Sequence, residues 1–163
     1  FTISSPATST DRTLTLPDEA GTVLTSASSI TQNAGPAFSA WQSSGQSVSS
    51  GVWTKILYQT ELFDTNSNFD SSRFTPTVAG YYQISAAASF GGAASVHTTG
   101  MYVNGVEFKR GGDGSTTQAS MSVLLYLNGS TDFVEFYVHS TTSANTDTVS
   151  SRTWFTGALV RAA

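Results

Sequence analysis

The chain has no cysteine. Disulfides, thiolate metal sites and cysteine nucleophiles are thereby excluded, whatever compartment the protein occupies. Charge is scarce too: Asp, Glu, Lys and Arg make up 11% of the 163 residues, against about a quarter in typical globular chains. With a formal charge of -4 and a pI near 4.9 there is no basic footprint, and a nucleic-acid partner is not expected. No stretch approaches the ~18 apolar residues of a membrane-spanning helix, so insertion into a membrane is not expected either. The only histidines are His97 and His139. A Gly-x-Ser-x-Gly elbow, a phosphate loop and a His-Glu-x-x-His helix are all missing. Ser140 follows His139 with Asp147 nearby, but neighbours along a strand point to opposite faces. Glu61 with Asp64, or Glu107 with Asp113, are carboxylate pairs of the kind any β-domain produces by chance. Asp113 and Asp147 could offer carboxylate oxygens to calcium, but calcium takes about six to eight ligands and two scattered aspartates are weak evidence for it. The expectation is a protein that is not an enzyme and holds no cofactor or metal.

What is present favours strands. Aromatic residues reach 12%, and with so little charge the polar surface must be Ser, Thr, Asn and Gln, which suit strands and loops better than helices. The most informative stretch is Phe69 to Phe90. Asp70-Ser71-Ser72 reads as a turn before Phe74, Pro76 and Gly80 punctuate, and an uninterrupted run then starts at Tyr81. One alternate set, Tyr82, Ile84, Ala86, Ala88 and Phe90, is wholly apolar, while Tyr81, Gln83, Ser85, Ala87 and Ser89 are small or barely polar. This is a strand covered on both faces.

Those residues carry a resemblance. Phe-x-Pro-x-x-x-Gly-Tyr-Tyr after an aromatic and an Asp in a short turn resembles the signature of C1q-like domains, the jelly rolls of complement and tumour-necrosis-factor type. The segment Trp154-Phe155-Thr156-Gly157-Ala158-Leu159-Val160 is similar to the closing strand of that family. The resemblance spans Pro36 to Arg161. It departs from the complement pattern in having no cysteine and in the small Ala158, where many members carry an aromatic.

Between these motifs the strands can be counted. Ala37 to Gln42, Val52 to Leu57 and Tyr58 to Phe63 precede the Phe69 stretch. Beyond Phe90, Gly91 to Thr99 reads as a Gly/Ala/Ser loop. Asn104-Gly105 between Met101-Tyr102-Val103 and Val106-Glu107-Phe108 predicts a type I′ hairpin. Gly111 to Thr117 is a loop before the strand Gln118 to Leu127. Asn128-Gly129-Ser130-Thr131 turns the chain into Asp132 to His139, with Val134, Phe136 and Val138 facing the core and Phe133, Glu135 and Tyr137 outward. Asn128-Gly129-Ser130 also fits a glycosylation acceptor, but the turn explains it. Ser140 to Ser151 is a third long loop before the last strand. The fold expected is all-β, an antiparallel jelly-roll β-sandwich of about ten strands over residues 34–163, with no helix required.

Residues 1–33 have another texture. Thr13 to Leu16 and Thr22 to Thr25 alternate on either side of the turn cluster Pro17 to Gly21, a hairpin too small to be stable alone. Asp11-Arg12-Thr13-Leu14-Thr15-Leu16-Pro17-Asp18-Glu19-Ala20-Gly21-Thr22-Val23-Leu24 resembles a segment recurrent in bacteriophage tail-fibre proteins, where it joins a fibrous shaft to a globular tip. An ordinary surface hairpin is the alternative. Residues 1–33 are accordingly expected to form a short β-rich stalk and linker, and a start at Phe1 rather than Met suggests a fragment or processed product.

Three strands are apolar or small on both faces: Tyr81 to Phe90, Ala119 to Leu127 and Thr153 to Val160. In the C1q-like family the outer side of that sheet is where three copies meet, so the resemblance implies a homotrimer, with Tyr81, Gln83, Leu124, Tyr126, Trp154, Ala158 and Val160 as interface candidates. Cover by the chain's own N-terminal segment is the alternative. Strand alternation gathers Ser43 to Gly51, Gly91 to Thr99, Gly111 to Thr117 and Ser140 to Ser151 at the end away from the stalk. Ser47, Ser95, His97, Asp113, Thr116, Asn145 and Asp147 are the candidates there for contact with a receptor, a glycan among the options, although each single residue also reads as ordinary solvated loop. The resemblances together imply a virion protein, a trimeric phage fibre tip for host attachment, with other fibre or capsid proteins meeting the N-terminal segment. A purely structural trimerisation module, such as a head fibre or cement protein, and a secreted C1q-like lectin or adhesion domain are the alternatives.

Overall fold

The computed structural model describes residues 35–91 and 95–163, leaving the side chains of Ser95 and Thr116 aside. The expected N-terminal hairpin, the Asp11 to Leu24 segment and the boundary at residue 33 lie outside the described residues. Among those described there is no helix, and fourteen strands follow one another. They are β1 (Ala37–Trp41), β2 (Ser47–Val48), β3 (Trp53–Lys55), β4 (Thr60–Asp64), β5 (Phe69–Asp70), β6 (Arg73–Phe74) and β7 (Gly80–Gly91). After them come β8 (Ser95–Val103), β9 (Val106–Arg110), β10 (Gly114–Thr116), β11 (Gln118–Leu127), β12 (Val134–Ser140), β13 (Ala144–Thr146) and β14 (Trp154–Ala162).

The excess over ten comes from short strands in stretches whose sequence suggested turns or loops, β5 and β6 among them on either side of Ser71 and Ser72. β2, β10 and β13 lie within Ser43 to Gly51, Gly111 to Thr117 and Ser140 to Ser151, and β8 begins four residues before Thr99. Small Ser, Thr and Ala side chains show no alternation, yet their backbone groups still need partners and find them on neighbouring strands.

In the first sheet β7 has β11 along one edge and β14 along the other, with β13 continuing beside Phe90 and Gly91. β14 pairs in turn with β1, and β1 with β4. In the second sheet β12 lies between β8 on one side and β3 and β6 on the other, while β8 also carries β9 and β10. Each of these ladders is antiparallel. The expected inward faces are realised: Tyr82, Ile84, Ala86, Ala88 and Phe90 from β7 and Val134, Phe136 and Val138 from β12 are buried together. Phe38 lies at the centre, stacked on Phe69 and Phe74 at 4.8 and 4.4 Å and edge-on to Phe155 at 5.0 Å. Gly157 makes room for this, since a Cβ there would stand 2.3 Å from Ile84 Cδ1 and 2.7 Å from Phe38 Cε1. The buried Tyr82 hydroxyl is paired: it donates to the Val78 carbonyl at 2.6 Å, and burial pushes the phenol pKa up to about 12.

Glu135 departs from expectation. It does point outward, but it is only 3% exposed, because Lys55 and Arg73 close over it. Lys55 Nζ lies 3.1 Å and Arg73 Nη2 2.9 Å from Glu135 Oε1, and the Tyr137 hydroxyl donates to Oε2 at 3.3 Å. A carboxylate can be buried on a sheet face when two cations and a hydroxyl replace its water.

Register fixes which connections share an end. Asn104 and Gly105, at φ 54° and 76°, form the two-residue turn that pairs Val103 with Val106. The side chain of Asn104 donates to Asp132 Oδ1 at 2.8 Å, and Asp132 Oδ2 accepts the Asn128 amide, so the two tight turns are tied together at the base. At the other end lie the last residues of β7, the first of β8, β2, β10 and β13.

Candidate functional site

Side chains leaving the first sheet away from the core form ladders across four strands. Ala37, Ala158, Gln83 and Leu124 make one; Ser39, Thr156, Ser85 and Ser122 make the next; Trp41, Trp154, Ala87 and Ser120 make a third toward the tip. Nearest the base Tyr81 faces Tyr126, rings edge to face at 5.7 Å, and Val160 stands in the bulge between Leu159 and Arg161. The seven expected interface candidates therefore do share one face. Tyr81, Leu124, Tyr126 and Val160 are each 47–57% exposed, an apolar patch of four large side chains. The middle ladder is a belt of hydroxyls: Ser85 and Ser122 Oγ atoms lie 2.7 Å apart, and Gln83 Nε2 donates to Ser122 Oγ at 2.7 Å. Trp41 and Phe63 extend the same face through β1 and β4. Sequence reasoning did not place them there, although the alternation of Ala37, Ser39 and Trp41 carried the signal.

At the tip the candidates separate into two groups. Ser47 Oγ donates to Asn145 Oδ1 at 2.7 Å, joining β2 to β13. Two residues on, Asp147 accepts the Val149 amide at 2.9 Å and Arg152 Nη1 at 3.3 Å. On the second sheet Asp113 is exposed and accepts a hydrogen bond from the Thr98 hydroxyl. The side chains of Ser95 and Thr116 are outside the described residues. His97 corrects the sequence expectation: it is 2% exposed, directed inward and stacked on Phe90 at 3.9 Å, so its ring does not face a partner. Neither ring nitrogen finds a hydrogen-bond partner among the described residues, and burial holds the imidazole pKa below its ordinary value. Among the described residues no three His, Asp or Glu side chains converge as metal ligands would.

A further group, missed from sequence, lies on the outer side of the second sheet. Trp53, Tyr102, Tyr137 and His139 come from three different strands and meet with ring centroids 4.1–5.9 Å apart. Each ring keeps part of its surface exposed.

No helix of the described residues is long and apolar enough to cross a membrane. No protein-family model matches the sequence, and no curated protein matches it. Solved structures do. The globular domain of zebrafish complement 1qA superposes with a TM-score of 0.57 at 17% identity, covering 78% of this chain and 99% of that one. Murine APRIL gives 0.60 at 9% identity over 77% and 99%. The PRD1 vertex protein P5 gives 0.56 at 15% identity over 77% and 97%. At such identities the likeness is one of fold, and the chain is an antiparallel jelly roll of the kind seen in C1q and tumour-necrosis-factor proteins.

Proposed function

We propose that this chain is the knob of a trimeric virion fibre, a non-catalytic module that joins three copies and touches the host surface. The exposed face of Tyr81, Leu124, Tyr126 and Val160 carries the reading. A flat apolar patch with a hydrogen-bonded Ser/Thr belt costs free energy in water and gains it against a copy of itself. The fold shared with a phage vertex protein and the fibre-like segment Asp11 to Leu24 support a virion setting, with residues 1–33 as the link to other fibre or capsid proteins. Attachment follows from the tip. Ser47, Asn145, Asp113 and Asp147 stand at the end opposite the tight turns, where a knob on a shaft meets its target first. Three copies would make weak contacts suffice by avidity.

One observation favours the purely structural module instead. Ser47 bonds Asn145, Thr98 bonds Asp113 and Arg152 bonds Asp147, so these polar groups already hold one another. Mass in solution together with saturable binding to candidate host cells separates the readings. A trimer whose binding is lost in Asn145→Ala supports attachment at the tip, a trimer that binds no candidate host supports the structural module, and a monomer ends both.

A further inference from the structure

The outer wall of the second sheet forms a grid fixed by register. Toward the tip it reads Trp53, His139, Thr98; in the middle Lys55, Tyr137, Gly100, Arg110; toward the base Glu135, Tyr102, Glu107. Arg73 reaches Glu135 from one side, and Asp113 meets Thr98 on the other. The empty position at the centre is Gly100. A Cβ there would stand 2.9 Å from Tyr102 Cε2 and 3.0 Å from Trp53 Cζ3, so it is glycine that lets the Trp53 ring reach across β12 and rest on the β8 backbone. Tyr102 lies 5.9 Å from Trp53 and 4.1 Å from Tyr137, giving a run of aromatic surface across three strands.

Charge at the margin is balanced. Lys55, Arg73 and Arg110 match Glu135, Glu107 and Asp113 in number, and the Arg110 guanidinium pairs with Glu107 at 2.7 Å while lying 5.2 Å from the Trp53 ring. An ionic partner finds no uncompensated field here. A neutral ring with one C–H face and a rim of hydroxyls does find complements. Aromatic faces are electron-rich and attract the weakly positive C–H bonds, while Arg110 and Glu107, 56% and 32% exposed, offer donors and acceptors to hydroxyls. The outer face of the first sheet, where Leu124, Val160 and a Ser/Thr belt lie between the Tyr81–Tyr126 and Trp41–Trp154 pairs, suits a copy of the chain instead.

We propose that this wall is a saccharide site: Trp53 stacks a neutral pyranose ring, Tyr102, tilted 60° to Trp53, meets the sugar's edge, and Arg110 and Glu107 bind its hydroxyls. The inference deepens the attachment reading by naming a ligand class, and moves the contact from the tip loops to the side of the knob.

The test titrates the full chain with methyl glycosides and short oligomers of glucose, galactose, mannose and N-acetylglucosamine. Tryptophan fluorescence and saturation transfer to the sugar C–H protons are the readouts. Saturable binding is expected, with a fluorescence change that disappears in Trp53→Phe and persists in Trp41→Phe. Affinity should fall about tenfold or more in Trp53→Ala. Glu107→Gln, at an exposed site that leaves the stack intact, should weaken binding with no change in unfolding midpoint. No binding by any of these sugars, or binding indifferent to both Trp53→Ala and Glu107→Gln, overturns the site. Sugar binding by a knob that attaches to no host cell keeps the site and removes the attachment reading. Attachment that is lost in Asn145→Ala and not competed by free sugar keeps attachment and overturns the wall as its point of contact.

Discussion

Replacing Leu124 by Asp should convert an associated chain into a monomer without unfolding it. Leu124 is 57% exposed in the single chain, so somewhat over half its burial is still to be gained, about 1 kcal/mol per protomer where a fully buried Leu is worth about 1.5–3. A carboxylate at the same place must instead lose water beside Gln83 and Ala158, at several kcal/mol. Threefold repetition makes the total penalty on the order of 10 kcal/mol, enough to shift association by many factors of ten. The monomer has no such difficulty, because there the Asp points into solvent. Light scattering or sedimentation velocity should give three times the 17.1 kDa chain mass for the unchanged protein and a single chain mass for Leu124→Asp, with equal far-ultraviolet circular dichroism. Val149→Asp, at an exposed tip position, is the control and should keep the larger mass. A monomeric unchanged protein, or a Leu124→Asp variant that keeps the associated mass, would refute the argument from the exposed face.

Three further outcomes follow from packing and charge. Glu135→Ala should lower the unfolding free energy by about 1–3 kcal/mol in urea melts, less than for a fully buried pair because Lys55 and Arg73 are 26% and 43% exposed and can turn to water; an unchanged midpoint would mean the ion pairs are already solvated. Gly157→Ala should cost about 1–3 kcal/mol by forcing a methyl group against Ile84 and Phe38, measured in the same melts, and a neutral result would show that the two side chains move aside easily. His97 should make the fold acid-sensitive: its folded pKa lies below the ordinary 6.5, so the unfolded chain takes up the proton first. Stability should be level above about pH 6.5 and decline as pH falls from there to the folded pKa. In His97→Phe, which can keep the stack on Phe90, that part of the decline should vanish, and an identical pH profile would remove His97 as its source.

Legibility from sequence depended on how local each signal was. β7 could be read because Pro76 and Gly80 mark its start and its two alternate sets differ in character, and the hairpin at Asn104-Gly105 because two adjacent residues specify it. The face of Tyr81, Leu124 and Val160 followed from alternation within three separate strands. Glu135 could not be read. Its partners Lys55 and Arg73 are 80 and 62 residues away, and only sheet order brings them together. His97 misled because a histidine among Gly, Ala and Ser looks like a loop residue, whereas the β8 ladder turns it inward onto Phe90. The aromatic wall was invisible for the same reason as Glu135: β3, β12 and β8 are neighbours in space but not in sequence.

The pairing of β14 between β7 and β1 has a consequence for biosynthesis. β1 is among the first described strands to leave the ribosome and β14 is the last, so the sheet remains split until translation has passed Ala162. Until then Phe38 lacks Phe155 and β7 has one free edge, a state of high contact order that folds slowly and is open to mispairing. A chain cut short anywhere before Trp154 would lack the strand that lies between β7 and β1 and completes the outer face. The topology thereby ties the outer face to β14: β1 and β7 belong to one surface only once that strand lies between them.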